Sequence, residues 1–290
     1  MLHYQPKIDL KTGAVAGAEA LIRWNHPTRG MVFPGRFIPV AEDCGLIRSI
    51  DKWVLHEACS QARAWVDAGL PETSFAINVS AIELRDENFL KDLFAIIGAT
   101  GINPKSLQLE VTESVLMKHA ASAAHILGAV RERGIQVAID DFGTGYSSLS
   151  YLRKLPIDAL KIDQSFVRQI SAVDEDTTIV TAIISMAQNL KLRVIAEGVE
   201  TAEELAFLQA HQCDEAQGYF LGGPMTPEKF EDLLRTGIAD PSAVIRPTNF
   251  VVDVATADQR DPIRLSAQPR LERAIHGQHD ERNRRQEDRD

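Results

Sequence analysis

Short apolar runs alternate along the chain with longer stretches in which apolar residues recur every three or four positions. The longer stretches predict helices, as in IDKWVLHEACSQARAWVDAGL and TTIVTAIISMAQNLK. The short runs lack polar alternation and predict strands that are covered on both faces. They are VAGAEALIRW, FAINVS, LQLEVTES, QVAIDDF, ALKIDQ, RVIAEGV and EAQGYF. Strands separated by helices in this way predict a parallel sheet with helices on its faces.

An eighth strand is predicted at the start of the chain, where YQPKIDL is followed by KTG. These three residues favour a hairpin, so the first strand would be irregular and antiparallel to the second. Eight strands with intervening helices favour an α/β fold of the modified TIM type, a (β/α)8 barrel. An open, doubly wound sheet is the alternative.

The pattern of strands and helices ends near Ala239. Residues 239–290 contain nine Arg, ten Asp or Glu and no Lys, without a sustained period. Such a segment buries too little apolar surface to fold, which predicts a charged, disordered C-terminal tail with at best a short strand over 250–254. We interpret the tail as a solvated extension, with a regulatory segment as the alternative, and residues 1–238 as one domain.

Composition and charge argue against several classes of protein. The formal net charge of −10 provides no basic field for a nucleic-acid polymer or an anionic membrane. Cys44, Cys59 and Cys213 form no CxxC pair, which speaks against a disulfide framework or a structural zinc site. No apolar run approaches the roughly 18 residues of a membrane span, and no signal peptide is evident. We expect a cytoplasmic protein, and a start so near the first motif is compatible with an upstream sensor-linked or membrane-associated region.

Polar residues stand at the carboxyl ends of nearly all the predicted strands. Taken singly, each would more often be a helix cap, a turn residue or a surface charge. In a barrel, however, these ends meet on one rim, where the loops converge and active sites lie. The residues are Glu19, Asn78, Glu110, Asp140, Asp141, Lys161, Glu197 and Gln217. Together they predict one polar site.

The five carboxylates of this set would repel one another, and divalent cations would relieve the repulsion. Oxygen ligands without His or Cys suit Mg²⁺ or Mn²⁺ rather than zinc. Asp140 and Asp141 would point opposite ways on an ideal strand, so both reach the rim only where the strand breaks, which Gly143 and Gly145 permit. Asp140 would then bridge two metals and Asp141 would bind the second, an arrangement suited to displacement at phosphorus.

Two other interpretations concern single motifs. GTGYSS imitates the dinucleotide-binding GxGxxG pattern, but Ser148 replaces the third glycine and two aspartates would oppose a pyrophosphate. Lys161 at a strand end could form a Schiff base. Its carboxylate neighbours would keep the amine protonated, so a charge-stabilising role is favoured, with an ion pair to Asp158 or Asp163 as the structural alternative.

In order and spacing, these motifs resemble those of the EAL-domain family, the bacterial phosphodiesterases that open cyclic di-GMP. The triplet that names the family stands in GAEALIRW as Glu19, Ala20 and Leu21. The resemblance runs from YQPKIDL through NVS, LEVTES, DDFGTGYSSLSYL, LPIDALKID, IAEGVET and QGYFLGGPM to about Leu234. It covers some four-fifths of the chain and implies the same modified barrel.

The resemblance also implies a role for each matching residue. Metal ligation is implied for Glu19, Asn78, Glu110, Asp140 and Asp141. Catalytic roles are implied for Glu19, for Lys161 and Glu197, which would hold or activate the attacking water, and for Glu113 as the anchor of the Asp141 loop. Substrate contacts are implied for Gln5, Leu21, Arg23, Glu200 and Gln217, of which the last would also complete the water shell.

Two functions follow from this resemblance. The first is an enzyme that hydrolyses cyclic di-GMP to linear 5'-pGpG by in-line attack of a water activated by two Mg²⁺ or Mn²⁺ ions. It is favoured because no position of the implied set is lost. The alternative is a catalytically silent module that senses cyclic di-GMP and signals through a partner. The resemblance further implies a homodimer, while no motif indicates a nucleic-acid polymer as a partner.

Overall fold

The structure of the protein is a computed structural model that describes residues 1–118, 120–145, 152–170 and 177–236. In chain order its strands are β1 (Leu2–Asp9), β2 (Val15–Ile22), β3 (Trp24–His26), β4 (Gly30–Val32), β5 (Ser74–Asn78), β6 (Leu107–Thr112), β7 (Gln136–Phe142), β8 (Ala159–Ile162), β9 (Arg193–Ala196) and β10 (Glu215–Ala216). Eight of them close a barrel in the order β1, β10, β9, β8, β7, β6, β5 and β2. The predicted barrel is therefore confirmed.

The first strand runs against both of its neighbours. β1 pairs antiparallel with β2, with Gln5 opposite Glu19, and antiparallel with β10 on its other side. The remaining neighbours in the barrel pair parallel. In the turn after β1, Asp9 Oδ1 accepts hydrogen bonds from the backbone N–H groups of Lys11 and Thr12, at 2.9 and 2.8 Å. The predicted antiparallel first strand and its hairpin are thus confirmed.

Helices cover the outside of the barrel. They are α1 (Pro34–Asp43), α2 (Ile47–Asp67), α3 (Phe89–Thr100), α4 (Glu113–Lys118), α5 (Ala120–Glu132), α6 (Gln164–Val167), α7 (Thr177–Asn189), α8 (Ala202–Ala210) and α9 (Pro227–Thr236). The two helices that the sequence pattern predicts correspond to α2 and α7. No helix in the described ranges is long and apolar enough to cross a membrane.

Aromatic rings fill the space between β1, β5, α2 and α9. Tyr4, Trp65, Phe75 and Phe230 are buried, and the ring centroids of the contacting pairs lie 4.9 to 6.3 Å apart. Such edge and tilted contacts are favourable for aromatic rings. This cluster fixes the first strand against the last described helix.

Several predicted strands end earlier than expected. VAGAEALIRW is barrel strand only to Ile22, after which β3 and β4 form a separate antiparallel hairpin. RVIAEGV and EAQGYF are strands only over Arg193–Ala196 and Glu215–Ala216. After β9 the backbone leaves the extended conformation at Gly198, which has a positive φ of 69°. The predicted tail, residues 239–290 with its strand over 250–254, lies outside the described residues, as does Ser148.

Candidate active site

The carboxyl ends of the parallel strands bring four of the predicted acids around one lysine. Lys161, on β8, is fully buried. Its Nζ lies 2.5 Å from Glu110 Oε2, 2.7 Å from Glu197 Oε1, 3.1 Å from Asp140 Oδ1 and 3.4 Å from Glu19 Oε2. Four of these residues lie on β2, β6, β7 and β8, and Glu197 directly follows β9. The cluster is therefore a property of the closed barrel rather than of any local segment.

Two amide side chains hold Glu19 from either side. Asn78 Nδ2 donates to Glu19 Oε1 at 2.7 Å, and Gln217 Nε2 donates to Glu19 Oε2 at 2.6 Å. Gln217 Oε1 is buried and has no hydrogen-bond partner among the described residues. A buried acceptor without a partner is costly. This arrangement favours a cation or a water beside Gln217.

The adjacent aspartates reach the rim through an irregularity in β7. Ligand atoms of Asp140, Asp141 and Glu197 all lie within 4.8 Å of one another, close enough to hold a metal ion. The pairing of β7 with β8 shifts register between Ile139 and Phe142, and Asp141 itself has a positive φ of 52°. The strand thus breaks at Asp141, before the Gly143 and Gly145 of the prediction, and aspartate is one of the few side chains that tolerate this conformation.

Glu113 contacts the loop that follows Asp141. Its Oε2 accepts a hydrogen bond from the backbone N–H of Gly143 at 2.8 Å. A Cβ on Gly145 would lie 2.6 Å from Glu113 Oε1, so any larger residue there would displace this carboxylate. Thr144 Oγ1 also donates to the backbone oxygen of Asp141 at 2.8 Å. The loop that carries Asp141 is therefore held from one side by Glu113.

Burial and mutual repulsion perturb the acids of the rim. Burial raises the pKa of Glu110 to about 7, although Lys161 opposes the shift. Burial, aided by the Asp140 and Asp163 carboxylates, raises the pKa of Asp141 to about 6. Burial also raises the pKa of Glu197 well above its ordinary value. Glu110, Asp141 and Glu197 therefore resist ionisation without a cation, whereas Lys161 and the amides of Gln217 and Asn78 outweigh burial and lower the pKa of Glu19.

Lys161 responds in the opposite sense to the same charges. Burial by itself would lower its pKa, but the surrounding carboxylates outweigh burial and raise the pKa well above its ordinary value. A permanently protonated amine is no nucleophile, so the Schiff-base alternative is disfavoured. Asp158, one of the alternative ion-pair partners, instead contacts Arg131 at 2.8 Å.

The predicted substrate residues occupy different positions around this cluster. Gln5 is buried and its Nε2 donates to the backbone oxygen of Gly222 at 3.3 Å. Arg23 is buried, with its guanidinium 5.3 Å from the centre of the Phe33 ring. Leu21 is half-buried on β2, opposite His3 of β1. Glu200 is exposed, and its carboxylate contacts Arg168 at 2.5 Å. The roles assigned to these residues remain predictions.

Two buried charged residues of this region are absent from the predicted set. Asp163 lies beside Asp141, and its Oδ1 also accepts a hydrogen bond from Ser165 N at 2.9 Å, which caps α6. Lys7 is buried inside the barrel, with its Nζ 3.7 Å from Glu110 Oε1. Both could have been found, since Asp163 follows a strand end as the other acids do, and Lys7 shares the inward face of β1 with Gln5.

Comparison with known proteins identifies close relatives. The profile of the EAL domain family matches residues 1–224. The chain is 45% identical over 234 residues to the cyclic di-GMP phosphodiesterase PA2567 of Pseudomonas aeruginosa, a match that covers 81% of this chain and 40% of that protein. It is 44% identical over 248 residues to the cyclic di-GMP phosphodiesterase NbdA of the same organism, covering 86% of this chain and 32% of that protein. The chain thus spans less than half the length of these curated relatives.

Solved structures agree with these relatives. The PaMucR phosphodiesterase in complex with c-di-GMP is 42% identical in sequence, with a TM-score of 0.77, and the match covers 79% of this chain and 93% of that one. The FimX EAL domain from Pseudomonas aeruginosa bound to c-di-GMP is 27% identical, with a TM-score of 0.71, covering 77% of this chain and 90% of that one.

Proposed function

This chain belongs to the EAL domain family, and on that premise we propose that it is a metal-dependent phosphodiesterase that hydrolyses cyclic di-GMP to linear 5'-pGpG. One observation carries the proposal. The fully buried Lys161 lies within 3.4 Å of carboxylates from Glu19, Glu110, Asp140 and Glu197, at the rim where barrel enzymes hold their active sites.

The donor atoms of the rim fit two hard divalent cations. Carboxylate and amide oxygens are the ligands that Mg²⁺ and Mn²⁺ prefer, and the unpartnered Oε1 atom of Gln217 supports the same conclusion. The residues that would hold the ions are Glu19, Asn78, Glu110, Asp140 and Asp141, and the ligand atoms of the two aspartates lie within 4.8 Å of each other and of Glu197. When bound, two such ions lower the pKa of water and stabilise negative charge at phosphorus.

The chain's own residues supply the remaining parts of the reaction. Glu197 is the carboxylate placed to accept the proton of the attacking water, because it stands at the rim beside Asp140 and Asp141, where burial raises its pKa well above its ordinary value. Protonated Lys161 provides a fixed positive charge beside it, at 2.7 Å. Water adds to one phosphorus, the bond to the 3' oxygen breaks, and that oxygen takes up a proton, which leaves a 5' phosphate and a 3' hydroxyl.

Gln5 on β1 and Arg23, which directly follows β2, suit the binding of the anionic substrate. Arg23 provides a charged hydrogen-bond donor for a phosphate, and Gln5 lies on the neighbouring strand. With a net charge of −10, the protein depends on such local donors and on cations to attract a dianionic ligand. Glu200 would have to leave Arg168 before it could contact a guanine edge.

The decisive experiment is incubation with cyclic di-GMP in Mg²⁺, Mn²⁺ or EDTA, followed by separation of the nucleotides by chromatography. We expect pGpG with either metal and none in EDTA. Glu19→Ala should abolish the product, whereas Glu231→Ala, which removes an exposed carboxylate from α9, should not. Binding of cyclic di-GMP without product at excess metal would instead establish the silent sensor.

We also propose a homodimer, on the basis of the family alone. Sedimentation of the metal-loaded protein should give twice the mass of 32.0 kDa. A single species of monomer mass at all working concentrations would reject this proposal without affecting the proposed hydrolysis.

A further inference from the structure

The interior of the barrel beneath the rim contains a second buried lysine. Lys7, on β1, is only 1% exposed, and its Nζ donates to Gln108 Oε1 at 2.6 Å. Gln108, on β6, is itself fully buried. Barrel interiors are dominated by bulky aliphatic side chains, and an ammonium in such a place needs compensating partners. A polar layer here therefore calls for a function.

Glu110 lies between this lysine and the rim. Its Oε2 is 2.5 Å from Lys161 Nζ, whereas its Oε1 is 3.7 Å from Lys7 Nζ. That inner oxygen is buried and has no hydrogen-bond partner among the described residues. Glu110 and Gln108 are two positions apart on β6, so their side chains point to the same, inward face of the barrel. The one carboxylate thus has a lysine on each side, one at the rim and one inside the barrel.

We propose that Lys7 is a positioning residue that holds the inner oxygen of Glu110 and so presents the outer oxygen to a metal ion at the rim. Gln108 in turn holds Lys7. The inference rests on the proposed function in one respect, which is the assignment of Glu110 as a metal ligand. Residues that orient a ligand from behind commonly tune metal affinity without touching the metal.

The arrangement has a direct consequence for metal binding. With Lys7 present, its ammonium group attracts the inner oxygen of Glu110 and does not compete with a metal ion for the outer oxygen. The outer oxygen of Glu110 already pairs with Lys161 at 2.5 Å, and without Lys7 that lysine would be the remaining cationic neighbour of the carboxylate in the described structure, so the pair would strengthen. A metal ion would then have to displace a stronger ion pair before Glu110 could bind it. Loss of Lys7 should therefore weaken metal binding even though it removes a positive charge near the ion.

The test is a Mn²⁺ titration of the nucleotide-free protein, by calorimetry or electron paramagnetic resonance. Lys7→Met should weaken Mn²⁺ binding by about 10- to 100-fold. Lys7→Gln keeps a hydrogen-bond donor and should lose less. The matched control is Lys11→Met, which removes the same charge from the exposed turn after the same strand and should leave Mn²⁺ affinity unchanged. Unchanged or tighter binding in Lys7→Met would overturn the proposal.

A double-mutant cycle separates positioning from packing. If Lys7 acts through Glu110, Lys7→Met should have no further effect on Mn²⁺ affinity in a Glu110→Gln background. An equal effect in both backgrounds would show that Lys7 only fills the barrel, and would reject the proposal. Melting curves in EDTA establish whether each variant folds. If Lys7→Met does not fold, the Mn²⁺ affinity of Lys7→Gln is compared in the same two backgrounds instead.

The outcomes for this inference and for the proposed function can be told apart, because the titration needs no turnover. Wild-type protein that binds Mn²⁺ but forms no pGpG would refute the proposed hydrolysis. The double-mutant cycle on Mn²⁺ affinity would still decide the role of Lys7. Wild-type protein that forms pGpG, with undiminished Mn²⁺ affinity in Lys7→Met, would refute the role of Lys7 alone. Wild-type protein that binds no Mn²⁺ would refute both.

Discussion

The contact between Glu113 and the glycine loop makes Gly145→Ala an informative substitution. An added Cβ would lie 2.6 Å from Glu113 Oε1 and 3.1 Å from its Cδ. The end of a glutamate side chain can move away at little cost, so the fold should survive. Moving it, however, breaks the hydrogen bond of 2.8 Å that Glu113 accepts from Gly143 N. The substitution therefore tests whether that bond matters for activity.

The magnitude follows from the kind of bond that is lost. A hydrogen bond to a charged group contributes about 1.5–3 kcal/mol. That energy corresponds to a factor of about 10 to 150 in the equilibrium between the held and the released loop. Since the loop carries Asp141, we expect kcat/KM for pGpG formation to fall by up to this factor. Mn²⁺ affinity should weaken in parallel, and the melting temperature should change little.

Chromatographic assays of pGpG formation, run beside Mn²⁺ titrations, measure both quantities. Gly98→Ala is the matched control, because nothing lies within 4 Å of a Cβ at that position of α3 and alanine is favoured in helices. Glu113→Ala should resemble Gly145→Ala, and the two together should cost no more than either alone. Wild-type activity in Gly145→Ala, or additive losses in the double variant, would refute this explanation.

Three further predictions concern charge and packing. In EDTA the melting temperature should fall as the pH rises from 5 to 8, because Asp141 and Glu110, with pKa values of about 6 and about 7, hold protons in the folded state and lose them over this range. Excess Mn²⁺ should reverse this trend, and a melting temperature that does not change with pH would contradict the prediction. Lys161→Met should abolish pGpG formation and, in EDTA at pH 8, lower the free energy of unfolding by about 3–5 kcal/mol. The loss should be smaller at pH 6, where the carboxyls can take up protons. Denaturant titration measures the loss at each pH, and equal losses at both would show that unpaired carboxylates are not its cause. Phe230→Ala should cost about 3–5 kcal/mol by leaving a cavity against Trp65, whatever the metal concentration, and a loss that Mn²⁺ abolishes would contradict that assignment.

Periodicity predicted the strands and helices, because these periods are local properties of the sequence, and the count of eight strands favoured a barrel over the open sheet that was its alternative. Topology then placed the site, since the carboxyl ends of parallel strands converge whatever loops follow them. Glu19 and Gln217 are 198 residues apart in sequence, yet their side chains meet at 2.6 Å on the predicted rim.

Features that depend on exact local geometry could not be predicted from the pattern of apolar and polar residues. The left-handed conformation of Asp141 depends on the register shift between β7 and β8, which no alternation of residues reveals. The exposed ion pair between Glu200 and Arg168 likewise depends on where two loops meet. Lys7 differs from these features, because its spacing of two residues from Gln5 already predicts that both side chains lie on one face of β1.

The antiparallel first strand also has a consequence for how the chain folds. β1 can pair with β2 as soon as both are made, but its other edge is closed by β10 and by Met225, whose N–H and carbonyl exchange hydrogen bonds with Tyr4 at 3.0 and 2.7 Å. The barrel therefore cannot close until more than two hundred residues have been synthesised. Contacts of such long sequence separation slow folding, and the open edge of β1 is exposed to wrong partners in the meantime. A chain cut just before Glu215 would keep all of the proposed metal ligands yet present two unpaired edges, so it should aggregate rather than assemble a weaker site.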